Sequence, residues 1–290
     1  MNYCICASGR LGAIVLGHLF NKSITINAVL TDSKSDEIIS LSINHNIPCF
    51  MGNPRMGKAV KWLDDNLLTI EHLLSVNYLF ILEEDLLNRV EGFAVNFHGS
   101  LLPKYRGRTP HVWAIINGEK EAGITAHLMN TLCDDGDIVK QIIVPIEEED
   151  TGAVLLEKYN SLYPHLVSSI IEDIEGKSIQ TVPQDSSKAT CYSKRSPSDG
   201  LINWDWQKER IRNWVRAQAH PYPGAFGYLD GVKFTINRIE YSDLGYSDQM
   251  PNGLVLSISH EGPIVKVQNG AILLKDVVGN IAFTQNDILK

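Results

Sequence analysis

The chain is predicted to be an α/β protein in which a parallel sheet flanked by helices is followed by a small β domain. Three observations predict it. The first half alternates short apolar runs with amphipathic segments, the pattern of strands joined by helical crossovers. Residues 176–200 carry Pro183, Asp185-Ser186-Ser187 and Ser196-Pro197-Ser198 with few periodic apolar positions, and read as a connector. Beyond them, five short strands separated by glycine turns suggest a small barrel or a sheet curled on itself. The expected organisation is a Rossmann-like domain over residues 1–188 and a β domain over residues 189–290.

In the first domain, residues 2–7, 24–30, 77–82 and 93–97 read as strands. Residues 11–20, 35–46 and 58–68 between them carry the helical pattern. Further strands are expected over 123–129 and 138–146, then a helix over 152–174. One amphipathic helix over 207–218 precedes the β region, with Ile211, Trp214 and Val215 on one face. The strands behind it are 226–229, 232–241, 253–259, 264–267 and 271–278.

With 290 residues the chain can bury a core in each of two domains. Hydrophobic residues make up 44% and charged residues 21%, which excludes a disordered or fibrous chain. No apolar run approaches the roughly 20 residues that span a bilayer, and residues 1–8 read as a first strand rather than a signal peptide. Membrane insertion is therefore not expected. The five cysteines are odd in number and scattered without a CxxC pair, as in reduced cytoplasmic proteins. The net charge of −8 argues against a broad basic face for nucleic acid. No spacing of His, Cys and Asp makes a convincing metal site.

Two regions could carry chemistry. Ala7-Ser8-Gly9-Arg10-Leu11-Gly12, between a strand and a helix, is a dinucleotide fingerprint lacking one glycine, with Asp32 after the second strand. That signal is weak, because tight strand–helix turns need glycine for backbone reasons alone. The denser region runs from Val95 to Gly107. Asn96 and His98 share one side of a strand end by the period of two, placing an amide donor beside a titratable imidazole. One can stabilise an oxyanion while the other takes a proton. Asp134, in the acidic Asp134-Asp135-Gly136-Asp137 loop, could orient that imidazole, or could be ordinary turn chemistry.

Asn96-x-His98, the run Ser100-Leu101-Leu102-Pro103-Lys104-Tyr105-Arg106-Gly107, Gly123-Ile124-Thr125-x-His127 and Asp134-x-Gly136 resemble, in that order, the folate-dependent formyltransferases. Tyr192-Ser193-Lys194-Arg195, Gly200-Leu201-Ile202-Asn203-Trp204 and Pro221-Tyr222-Pro223-Gly224-Ala225-Phe226 are similar to the sugar-nucleotide branch, in particular to enzymes acting on UDP-4-amino-4-deoxy-L-arabinose. The resemblance implies an OB-like second domain, and N10-formyltetrahydrofolate as donor to the primary amine of a nucleotide-linked amino sugar. It implies Asn96, His98 and Asp134 as the catalytic set, and a pterin pocket at Phe80, Ile81 and Leu82 with Asp134. Lys104, Arg106 and Arg108 place three cations in one loop, either a solvated run or a site for acceptor phosphates. His111, His127 and His220 are read as structural. The sequence does not read out oligomeric state; if the chain forms a homodimer, the β-rich second domain is the candidate interface. The other acceptor to weigh is initiator tRNA, as in methionyl-tRNA formyltransferase, which calls for a basic footprint this acidic chain lacks.

Overall fold

Five consecutive apolar or small residues make β1, Tyr3–Ala7, a strand buried on both faces, as the middle of a parallel sheet requires. The computed structural model describes all 290 residues and places β1 between β2 (Ile26–Thr31) and β4 (His72–Val76), parallel to both. With β3 (Cys49–Met51), β5 (Ala94–His98), β7 (Glu121–Leu128) and β8 (Ile138–Pro145), the sheet runs β3-β2-β1-β4-β5-β7-β8. Helices α1 (Gly9–Asn21), α2 (Asp36–Asn44), α3 (Lys58–Asp65) and the single turn α4 (Glu84–Leu87) supply the crossovers. One core packs Cys4, Cys6, Ala28, Leu30 and Leu73 against Leu63, Leu82 and Leu86. No helix is long and apolar enough to cross a membrane.

Two expectations need correction. β7 lies antiparallel to β5, so the sheet is mixed at the edge that carries the site. The fourth strand is His72–Val76, not residues 77–82. Its polar His72 and Ser75 are both buried and masked the strand in the sequence. Asn77, with a left-handed φ of +51°, ends it, and the apolar run Tyr78–Leu82 is the loop beyond. The short β3 and α4, and α5 (Pro110–Ile116), went unread because each is too short to show a period.

Contacts divide the chain into two compact units, each assembled from several stretches. The first comprises Met1–Gly107, Gly123–Val144 and Lys158–Tyr192; the second comprises Arg108–Ala122, Pro145–Glu157 and Ser193–Lys290. The first unit holds the sheet and most of α6 (Gly152–Glu175). It also holds a two-stranded parallel pair, β6 (Arg106–Gly107) with β9 (Cys191–Tyr192), which ties the connector to the loop after β5.

In the second unit, α7 (Lys208–Ala217) buries Ile211, Trp214, Val215 and Ala217. Five antiparallel strands follow: β10 (Ala225–Leu229), β11 (Val232–Ser242), β12 (Val255–Ile258), β13 (Pro263–Val267) and β14 (Gly270–Val278), ordered β10-β11-β14-β13-β12. Asp230 and Gly231, both at positive φ, form the two-residue turn between β10 and β11. The last residues close this sheet on itself. Lys290 exchanges main-chain hydrogen bonds with Tyr228 of β10, while Leu289 and Asp287 bond to Gly253 and Val255 at the β12 edge. Both exposed edges are thereby paired, as in a barrel.

Leu289 is buried at that closure. Leu289→Ala should lower unfolding free energy by about 2–5 kcal/mol, read as a lower urea midpoint. An unchanged midpoint would show that the closing strand adds nothing.

Candidate functional site

Asn96 and His98 leave the carboxyl end of β5, where open α/β sheets present ligands. Their main chains pair across the antiparallel edge, Asn96 with His127 and His98 with Thr125. That register brings His127 beside Asn96, whose Nδ2 lies 3.1 Å from His127 Nε2. His127 Nδ1 is 2.8 Å from the Leu128 carbonyl, which can only accept, so Nδ1 carries the proton and Nε2 accepts from Asn96. Thr125 Oγ1 donates to Ser100 O and accepts from Leu102 N and Gln141 Nε2, fixing the start of the loop after His98.

Asp134 completes the cluster from the β7–β8 loop. Its Oδ1 lies 3.5 Å from His98 Nδ1, 3.6 Å from His127 Nε2 and 3.4 Å from Asn96 Nδ2, while Oδ2 accepts from Gly107 N at 2.9 Å. Asp134 and His98 are each only 8% exposed. Burial alone would raise the Asp134 carboxyl; the neighbouring His127 and His98 imidazoles, which favour the carboxylate whenever they carry a proton's charge, and the Gly107 N–H outweigh it and hold the group far below the usual range. Asp134 is therefore a carboxylate. Two glycines make the approach feasible. Gly107 has φ +99°, and a Cβ there would collide with Tyr192 O; a Cβ on Gly136 would collide with Leu128 O.

His98 Nε2 is 2.8 Å from the Tyr105 carbonyl, so Nε2 holds the proton and the lone pair of the neutral ring sits on Nδ1. Burial lowers the His98 pKa below the ordinary imidazole value, although Asp134 and the Tyr105 carbonyl pull it back up. A neutral base, an amide donor and a fixed carboxylate thus converge on one point. This suits proton removal from a nucleophile with stabilisation of a developing oxyanion.

The other anticipated residues are dispersed. Phe80 and Ile81 lie in the loop beyond β4, Ile81 being 60% exposed, whereas Leu82 is buried in the core. Lys104 and Arg108 are exposed on the loop after β5. Arg106 turns inward, its Nη1 paired with Asp135 at 2.6 Å and its Nη2 donating to Gln184 Oε1 at 2.7 Å. His127, read as structural from the sequence, belongs to the cluster; its place opposite Asn96 follows from the antiparallel register, which the sequence did not disclose. The glycine turn after β1 is internally capped: Gly9 N donates to Ser35 Oγ, which in turn donates to Asp32 at 2.6 Å. The acid that a dinucleotide ribose would need is already engaged.

A formyl transferase family model matches residues 18–171, and a formyl transferase C-terminal domain model matches residues 194–289. The chain belongs to the formyl transferase family. This formyl transferase is 35% identical over 257 residues to the bifunctional polymyxin resistance protein ArnA of Wigglesworthia glossinidia brevipalpis. That match takes in 85% of the chain but 39% of the relative, so the chain spans about two fifths of ArnA's length. Among solved structures it is similar to the N-formyltransferase of Helicobacter canadensis, described in complex with folinic acid and dTDP-3-aminofucose (TM-score 0.73, 19% identity, 94% of this chain and 98% of that one). It is also similar to a sugar N-formyltransferase from Shewanella (TM-score 0.63, 25% identity, 80% and 95%).

The donor implied by the sequence resemblance is a formylated folate, whose ring would call for main-chain donors and acceptors in the loop beyond β4. Phe80, Ile81 and Leu82 make no main-chain hydrogen bond within the chain, which leaves their N–H and C=O groups available beside an apolar surface.

The lowered His98 pKa carries a sign for stability. An unfolded imidazole binds a proton near pH 6.5 and the folded one only below that, so the His98 contribution is present above 6.5 and lost as pH falls through the interval beneath. Urea midpoints taken between about pH 7.5 and about pH 5.5 should fall less steeply for His98→Asn than for the wild type. Equal slopes would contradict the buried neutral ring.

Proposed function

We propose that this formyl transferase moves the formyl group of N10-formyltetrahydrofolate onto the primary amine of a nucleotide-linked amino sugar. The observation that carries the reading is the convergence of Asn96, His98 and a buried Asp134 carboxylate at the carboxyl end of β5. The sugar-nucleotide acceptor is supported by the likeness to an N-formyltransferase holding dTDP-3-aminofucose and to a sugar N-formyltransferase, and by the acidic net charge. We assign residues 1–188 to the catalytic domain and 189–290 to the C-terminal domain, and place the reaction in the cytoplasm, in keeping with the scattered cysteines.

The donor, when bound, supplies an activated formyl carbon; the pocket for it is formed by Phe80 and Ile81 with Leu82 and Asp134. As the acceptor nitrogen bonds to that carbon, the carbonyl electron pair moves to oxygen, where one Asn96 Nδ2–H is placed to donate. His98 Nδ1, the ring nitrogen not engaged by Tyr105, takes the proton released by the nitrogen. The imidazolium so formed faces Asp134 Oδ1, turning a loose 3.5 Å contact into a charge-assisted hydrogen bond. That gain frees Asp134 from Asn96, whose N–H then serves the oxyanion. Collapse of the tetrahedral species breaks the bond to the donor nitrogen, which leaves with the proton His98 returns. Lys104 and Arg108 are assigned to the acceptor phosphates; Arg106, paired with Asp135 and Gln184, acts on the loop instead.

Incubation with N10-formyltetrahydrofolate and a panel of amino-sugar nucleotides should give an N-formylated sugar by mass spectrometry. His98→Ala should lower kcat by about 10²- to 10⁴-fold, and Asn96→Ala by about 10²- to 10³-fold. Formylation of charged initiator tRNA but of no sugar would overturn the acceptor, and full activity in His98→Ala would overturn the mechanism.

A further inference from the structure

The stretch from residue 181 to 190 is exposed almost throughout, yet Gln184 turns inward from it. Its Nε2 donates one proton to Asp134 O at 2.9 Å and the other to Gly136 O at 2.8 Å. Its Oε1 accepts from Arg106 Nη2 at 2.7 Å and Nε at 3.2 Å, while Arg106 Nη1 binds the Asp135 carboxylate at 2.6 Å. One amide and one guanidinium therefore hold three consecutive residues: Asp134 and Gly136 by their carbonyls and Asp135 by its side chain. Every donor and acceptor site that Gln184 offers is directed at this turn or at the residue that braces it.

The turn needs holding. Asp134 sits at φ +54°, a left-handed conformation that a residue with a Cβ adopts only under constraint from its surroundings. Its carboxylate must also stay opposite His98 Nδ1. The residue after Arg106 supplies the matching restraint on the side chain, since Gly107 N donates to Asp134 Oδ2. The connector continues the clamp along β8: Ile138 and Val182 exchange main-chain hydrogen bonds, and Thr181 Oγ1 donates to Asp137.

We propose that Gln184, braced by Arg106, is a positioning residue for Asp134, an inference that rests on the formyl-transfer reading of the site. Without the two donors, the carbonyls of Asp134 and Gly136 lose their partners and the turn relaxes, carrying the carboxylate out of register with His98. Misplacement of a catalytic group by about 1 Å typically costs on the order of 10²-fold. The loss falls on the chemical step, because both Gln184 donor protons go to carbonyls of the Asp134 turn.

The test compares wild type with Gln184→Met, which keeps the length of the side chain but neither donates nor accepts. Arg106→Lys is the second variant; it keeps a cation near Asp135 but loses the planar fork on Gln184 Oε1. In Gln184→Met, kcat should fall about 10- to 100-fold while KM for the acceptor stays within about twofold. The acid limb of kcat/KM should move to lower pH, because His98 loses the carboxylate that raises its pKa. Arg106→Lys should give a smaller change of the same kind. Hydrogen exchange, which requires no acceptor, should quicken in residues 133–137 and stay unchanged in β1 and β4. Wild-type exchange in that loop, or a lowered kcat with an unmoved acid limb, would overturn the role. If wild type turns over no acceptor at all, the reaction reading fails, and the exchange result alone decides the positioning of Asp134.

Discussion

A single buried carboxylate organises this protein. Asp134 is almost wholly withdrawn from water, and a charge so placed persists only with donors around it. Its oxygens face Gly107 N, Asn96 Nδ2, His98 and His127, four groups drawn from three separate stretches of chain. Each of those groups is fixed in turn by something that cannot move independently. Tyr105 O sets the His98 tautomer and Leu128 O sets that of His127, while the β5–β7 register places Asn96 beside His127. The ionised Asp134 and the neutral His98 are thus two results of one arrangement: burial penalises both charges, but only the carboxylate has enough donors to keep its own.

The fold supplies this arrangement at one sheet edge. β1 and β4, buried on both faces, form a rigid centre that β5 extends, and the loops beyond β4 and β5 leave from the same end. β7 runs antiparallel to β5, so the Asp134 loop leaves it beside Val95 at the start of β5 and folds back to bring the carboxylate to Asn96 and His98. The connector adds the last restraint, with β9 against β6 and Gln184 against the Asp134 turn. A segment that reads as a linker is a structural part of the site.

Much of this was legible in the sequence. The long strands and helices stood out because their apolar periods are strong, and the Asn96, His98 and Asp134 set stood out because its motifs come in order. What the sequence hid has physical causes. His72 and Ser75 interrupt the apolar pattern of β4, so the adjacent loop Tyr78–Leu82 looked more strand-like than the strand itself. His127 gains its place from a cross-strand pairing, and period alone does not give the direction of a neighbouring strand. Gln184 lies in a polar stretch where composition predicts solvent, and only its contacts distinguish it from its neighbours. Arg106 looked like one of three loop cations; its geometry makes it a brace for an acidic turn.

His98 is neutral, protonated on Nε2 by its bond to Tyr105, with Nδ1 left as the base beside an ionised Asp134. Nitrogen-15 NMR of the imidazole rings reads this directly in the resting protein. The expected spectrum shows the Nε2–H tautomer of His98 at neutral pH, with Nδ1 gaining its proton only as the solution is acidified. A signal showing the Nδ1–H tautomer at neutral pH, with Nε2 bare, would contradict it.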